Sequence, residues 1–174
     1  AGACIVMMDE FDPKKTIDII EKEGITVLGQ VPPMYLLEIR NKHFNQANWD
    51  SVKTFVWGGS TAPQDMLDTL KAIHERTGAR LVTGYGATEL GGFVTATRPE
   101  DSIDQLGQHA GIPYDNCEIR IVDNERSPVA QGTVGEIAVR GPMLMKGYLN
   151  SPGQTSAVMD EEGWYYTSDL GRLE

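Results

Sequence analysis

The sequence predicts an α/β fold, a parallel sheet with flanking helices followed by a small antiparallel, barrel-like β lobe, and three observations point to it. Over the first hundred residues, short β-branched runs alternate with stretches of helical period, the pattern of βαβ crossovers. After Leu106 the period changes to strict apolar/polar alternation. Turn residues, including Gly107, Gly111 and Pro113, gather where the change occurs.

Taken in order, Ile5–Met8 reads as a first strand. Asp12-Pro13 supplies an N-cap and a first-turn proline, Ile17 and Ile20 repeat at helical spacing, and Gly24 ends the helix. Ile25–Leu28 is the next strand, and Pro32-Pro33 opens a helix that turns Met34, Leu37 and Ile39 inward. Val52–Trp57 is a third strand. Pro63 and Asp65 start a helix with Met66, Leu70 and Ile73 on one face and Gly78 as its cap, and Arg80–Thr83 follows as a fourth strand. In the second lobe, Glu118–Val122 alternates as a half-buried strand with Ile119 and Ile121 inward. Glu136–Arg140 alternates again with Ile137 and Val139, a short helix surrounds Thr155–Met159, and Gly163–Asp169 closes as an aromatic strand. The boundary is expected near residue 106, giving an α/β unit over 1–106 and an antiparallel β unit over 107–174.

Charge and cysteine content narrow the function classes. Across 174 residues, 15 Lys+Arg against 25 Asp+Glu give a net charge of −10 with no basic cluster, which argues against nucleic acid and acidic membrane surfaces as partners. Cys4 and Cys117 lie far apart without CxxC spacing, so neither a disulfide framework nor a zinc site is indicated and a reducing cytoplasm fits. Apolar stretches such as Ala3–Met8 are too short to span a bilayer.

Parallel strands deliver their C-terminal ends to one edge, where open α/β sheets bind ligands. That edge receives Gly58-Gly59 and Gly84-Tyr85-Gly86. The stretch Thr83-Gly84-Tyr85-Gly86-Ala87-Thr88-Glu89 joins a permissive turn to an aromatic face, a hydroxyl and a carboxylate. Tyr85 can stack on a base, Thr88 can donate to a phosphate oxygen, and Glu89 is a hard oxygen ligand for Mg²⁺. It is neither a Walker loop nor a GxGxxG fingerprint.

The whole stretch resembles the adenylate-forming (AMP-binding) superfamily of acyl- and aryl-CoA synthetases, luciferases and peptide-synthetase adenylation domains. Further segments are similar in order and spacing: Trp57-Gly58-Gly59-Ser60-Thr61-Ala62-Pro63, the Gly135–Pro142 GE-x-x-x-RGP block continuing to Gly147-Tyr148, and Gly163-Trp164-Tyr165-Tyr166-Thr167-Ser168-Asp169. Ile25–Tyr35 is similar to the strand and VPPM turn bordering the carboxylate pocket. The resemblance implies an ATP-dependent, AMP-forming acid–thiol ligase. It would activate a carboxylic acid as acyl-AMP with release of pyrophosphate and pass the acyl group to CoA. By analogy Thr88 contacts the α-phosphate, Glu89 ligates Mg²⁺, and Gly84, Tyr85, Gly86 and Ala87 line the nucleotide. Gly58, Gly59 and Ser60 take the other side of the base, and Asp169 accepts the ribose hydroxyls.

Departures from the family pattern are equally informative. The SGTTGxPKG-type phosphate loop and the C-terminal lysine domain are not in this sequence, so a central piece of the large N-terminal domain is expected, inactive by itself. Ser168 stands where the family has glycine. A noncatalytic nucleotide-binding scaffold, or an adenylating enzyme with another acyl acceptor, is the alternative. The VPPMY turn and Gly91-Gly92 lean towards a fatty acyl substrate, although the glycines also suit a plain turn. Trp49, Trp57 and Trp164 read as packing groups, His43, His74 and His109 as surface or helix-face residues, and Glu136 and Arg140 as outward-facing structural residues.

Overall fold

The computed structural model describes residues 2–98 and 100–174, which form two compact units. The first runs to Tyr85 and takes in Ala96–Gly111; the second comprises Gly86–Thr95 and Ile112–Glu174. The two units are interleaved along the chain.

In the first unit, α1 (Pro13–Glu23) begins where Asp12 accepts a hydrogen bond from the Lys15 amide at 2.7 Å and ends at Gly24, whose φ is 61°. Three parallel strands follow, β1 (Val27–Gln30), β2 (Thr54–Trp57) and β3 (Arg80–Thr83), in the order β1-β2-β3. They are joined through α2 (Pro32–Ile39), a 3₁₀ turn at Phe44–Gln46, and α3 (Gln64–Thr77) capped by Gly78. Trp49, Phe55, Trp57, Met66 and Leu70 fill the core, with at most 2% of any of them exposed.

Two expectations fail here. Ile5–Met8 forms no strand, and Ile5 and Met7 are more than 80% exposed. A strand exists only in a ladder, and no described residue pairs with this run. Helix α2 turns Pro32, Tyr35 and Glu38 inward, leaving Leu37 exposed and Met34 and Ile39 half-buried. Tyr35 gains this place because its hydroxyl donates to the Leu28 carbonyl at 2.7 Å and lies 3.1 Å from that of Val56. The apolar period gives way to a polar anchor.

Glu38 is fully buried. Gln30 Nε2 donates to its Oε1 at 2.7 Å, while Glu38 Oε2 and Gln30 Oε1 are buried without hydrogen-bond partners. Burial pushes the carboxyl up to about 7, against the opposing pull of the Gln30 bond. The folded chain therefore holds a proton that the unfolded chain releases between pH 4.5 and 7. This contribution to stability is full below pH 4.5 and falls by up to about 3 kcal/mol as pH rises through 7. Urea unfolding at pH 5 and pH 8 should show a smaller pH-dependent loss for Glu38→Gln than for the wild type. An equal loss in both would assign the dependence to other groups.

The second unit opens with β4 (Gly86–Ala87), a 3₁₀ turn at Thr88–Leu90 and β5 (Gly92–Phe93), a short antiparallel hairpin. The two-residue strands β6 (Thr95–Ala96) and β7 (Ile112–Pro113) come next in the chain. Then β8 (Glu118–Val122), β9 (Gly135–Arg140) and, after α4 (Pro152–Val158), β10 (Tyr165–Gly171) form an antiparallel sheet with β9 central. Ala138 and Val139, adjacent and so on opposite faces of β9, are both buried, and the expected inward Ile137 is only half-buried. Arg120, expected outward, lies 3.9 Å over the Trp164 ring and donates to the Tyr166 hydroxyl at 2.9 Å, which in turn donates to Asp160 at 2.7 Å. Buried aromatics give the guanidinium a place that alternation alone could not reveal.

Candidate functional site

The first unit brings two turns together at the C-terminal ends of adjacent strands. β2 and β3 are paired with Trp57 opposite Thr83, so Gly58-Gly59-Ser60 and Gly84-Tyr85 leave neighbouring strands from the same level. Gly59 adopts φ 83°, a left-handed conformation that favours glycine. Gly59 and Ser60 are exposed, Gly58 and Tyr85 half-buried, and Gly84 buried. A residue that sequence reasoning missed fixes the end of β3. Thr97 donates its amide to the Thr83 carbonyl at 2.8 Å, while its hydroxyl oxygen accepts the Thr83 amide at 3.0 Å. The same strand end is thereby held by backbone and side chain of one threonine.

The second unit carries the acid and the hydroxyl. Gly86 faces Phe93 and Ala87 faces Gly92 across the β4–β5 hairpin, which leaves Thr88 exposed and Glu89 half-buried at its tip. Leu90, only 1% exposed, anchors that tip to the interior. Gly91, at φ 71°, caps the 3₁₀ turn, and Gly91-Gly92 carries the chain into β5. The Glu89 carboxylate accepts a hydrogen bond from the Tyr148 hydroxyl at 3.0 Å, and its backbone carbonyl accepts one from the Met145 amide at 2.8 Å. Tyr148 belongs to a block the sequence singled out, but its partner, 59 positions away, left no local signal.

Asp169 lies on β10, exposed, where pairing with β9 shifts register between Tyr166 and Leu170. Ser168 sits within the shift at φ 63°, a conformation that costs a residue with a side chain about 1–2 kcal/mol. This is the lesser permissiveness expected of serine in a glycine position. Glu136 offsets part of the strain by accepting the Ser168 amide at 2.7 Å. Thr167 ties the bulge to β9 by donating to the Ile137 carbonyl at 2.9 Å, and the Asp169 amide donates to Thr167 Oγ1 at 3.1 Å. On the same strand as Glu136, Arg140 forms a two-pronged ion pair with Glu118.

Among the described residues, no three His, Cys, Asp or Glu side chains cluster as a metal cage. A lone, oriented carboxylate suits Mg²⁺ in its other mode, carried on substrate phosphates with one or two protein oxygens. The donor set at Glu89 fits that mode.

The first unit thus presents glycine turns at the ends of a parallel sheet, and the second carries a carboxylate-bearing hairpin and an antiparallel sheet. A family model described as "AMP-binding enzyme" matches residues 1–149, and the chain belongs to that family. It is 34% identical over 174 residues to the indoleacetate–CoA ligase of Aromatoleum aromaticum, covering 100% of this chain and 33% of that protein. It is 30% identical over 177 residues to 4-coumarate–CoA ligase 1 of Narcissus pseudonarcissus, covering 100% and 32%. Among solved structures, the amide bond synthetase McbA from Marinactinospora thermotolerans superposes with a TM-score of 0.82 at 30% identity, over 96% of this chain and 33% of that one. The chain thus spans about a third of the length of these proteins.

Proposed function

We propose that the protein carrying this chain is an ATP-dependent, AMP-forming acid–thiol ligase, which makes an acyl-adenylate from a carboxylic acid and then a thioester with CoA. The observation that carries this reading is the Thr88-Glu89 hairpin tip, with its carboxylate oriented by Tyr148, in a chain of the AMP-binding family. A scaffold that only held a nucleotide would have no need of a fixed acidic oxygen.

The chemistry asks the protein to neutralise phosphate charge and hold acid and α-phosphorus in line. Thr88 donates its hydroxyl to the α-phosphate, Glu89 presents a carboxylate to the metal-bearing phosphates, and Tyr85 offers its face to the base. Gly58, Gly59 and Ser60 bring backbone groups to the other side of the base. Gly84, Gly86 and Ala87 let the turn approach the nucleotide, and Asp169 accepts from the ribose. Mg²⁺, when bound, supplies the positive charge that phosphate displacement requires. No helix among the described residues is long and apolar enough to cross a membrane. A cytoplasmic setting is part of this reading, since Cys4 and Cys117 are free thiols that a reducing compartment would maintain.

The identity of the acid separates two readings. The VPPMY turn, now the start of α2, favours a fatty acid, whereas the likeness to indoleacetate–CoA and 4-coumarate–CoA ligases favours an aryl acid. ATP–pyrophosphate exchange by the full-length protein, driven by fatty, arylacetic and aryl-propenoic acids in turn, should occur with one class and yield a thioester when CoA is added. Exchange without thioester would point to another acyl acceptor. No exchange with any acid would overturn the ligase reading in favour of a nucleotide-binding scaffold.

A further inference from the structure

We propose that Tyr148 is the positioning residue for Glu89, its phenol committing one carboxylate oxygen so that the other is presented to metal-bearing phosphates; this rests on the assignment of Glu89 given above. Glu89 stands on a single 3₁₀ turn, and its side chain has three rotatable bonds whose freedom must be lost before it can meet a metal's narrow geometry. The Tyr148 hydroxyl donates to Oε1 at 3.0 Å while the Met145 amide donates to the Glu89 carbonyl at 2.8 Å, so one short segment grips both the side chain and the main chain of the same residue.

Tyr148 is itself held. Its amide donates to Thr155 Oγ1 at 2.9 Å, and that hydroxyl donates to the Ser151 carbonyl at 3.1 Å in the first turn of α4. Gly147 makes the approach possible, for a Cβ there would stand 2.9 Å from both Oγ1 and Cγ2 of Thr155. The result is a relay from α4 through Thr155 and Tyr148 to the carboxylate. A phenol also suits the task chemically. It is a neutral donor, so it orients the carboxylate without cancelling the charge that a cation requires, as an arginine or lysine would.

The test uses the full-length protein and Mn²⁺ as a metal probe, with a non-hydrolysable ATP analogue present and free Mn²⁺ read by electron paramagnetic resonance. Tyr148→Phe should weaken Mn²⁺ binding about tenfold, and adenylation lost at low Mg²⁺ should return at high Mg²⁺. A merely structural tyrosine would lower thermal stability and activity at every metal concentration. Glu89→Gln should weaken Mn²⁺ binding at least as much, and adding Tyr148→Phe to it should cost little more. If Glu89→Gln weakens metal binding but Tyr148→Phe does not, the positioning role is overturned while the assignment of Glu89 stands. If Glu89→Gln leaves metal binding unchanged, that assignment falls and takes the role of Tyr148 with it.

Discussion

Gly86→Ala should unfold the β4–β5 hairpin and abolish whatever activity depends on it. A Cβ at residue 86 would lie 2.0 Å from the Gly92 carbonyl oxygen and 2.6 Å from both the Gly92 carbonyl carbon and Phe93 Cα. All three are backbone atoms of the paired strand, so no rotamer can relieve the overlap and the strands must separate. Separation drags at Leu90 and Val94, which are 1% and 0% exposed. We expect a loss of about 3 kcal/mol or more, at the upper end of what overpacking costs, together with loss of the proposed adenylation because Thr88 and Glu89 occupy the displaced tip. Gly29→Ala is the matched control. It lies in β1 at an ordinary φ, nothing stands within 4 Å of its added Cβ, and its urea midpoint should stay near the wild type. A Gly86→Ala protein that unfolds at the same urea concentration as Gly29→Ala would show that the close strand approach is not required.

If the proposed ligase reads the ribose through Asp169, Asp169→Ala should remove its preference for ATP over 2′-deoxy-ATP. If the carboxylate accepts the ribose hydroxyls, deleting the 2′-hydroxyl removes a hydrogen bond to a charged group, about 1.5–3 kcal/mol. That corresponds to roughly ten- to a hundredfold in kcat/KM for ATP over 2′-deoxy-ATP. The alanine variant should use ATP poorly and treat the two nucleotides nearly alike. Asp169 is exposed and its amide is already tied to Thr167, so an aspartate that served only the bulge would lower stability while leaving the discrimination intact. Four kcat/KM values, two nucleotides with two proteins, complete the cycle. A wild-type preference that persists in the alanine variant would exclude Asp169 as the ribose ligand.

Elements whose signals are local were legible in the sequence. Asp12, Pro13 and Gly24 delimited α1 because caps act within one turn, and β3 and β8 matched their expected bounds because charged or turn residues flank short β-branched runs. What failed depended on partners distant in sequence. Ile5–Met8 has the composition of a strand but no described ladder to join. The inward face of α2 was set by the bonds of Tyr35 to carbonyls of β1 and β2 and by the pairing of Gln30 with Glu38, none visible in an eight-residue apolar period. At the candidate site the residue types and turns were visible in the sequence, but a hydroxyl and a carboxylate beside glycines also suit a plain turn, and the resemblance to the adenylate-forming superfamily supplied their expected roles. The groups that orient them, Thr97 for the end of β3 and Tyr148 for Glu89, meet their partners only through folding.

The interleaving of the two units constrains how the chain can be made and divided. The first unit loses the thread at Tyr85 and recovers it only for Ala96–Gly111, where Leu106 enters its core and a Cβ on Gly107 would stand 2.8 Å from Leu67 Cδ1. During synthesis the first unit therefore cannot complete itself until residue 111 has emerged, and by then the β4–β5 hairpin is already present without most of its own unit. The shortest contiguous piece containing all of the first unit necessarily carries that hairpin as a passenger. Every cleavage between residues 86 and 111 leaves at least one unit built from two separate chains, so the two folding problems are covalently braided and a genetic fusion or truncation must respect both or neither.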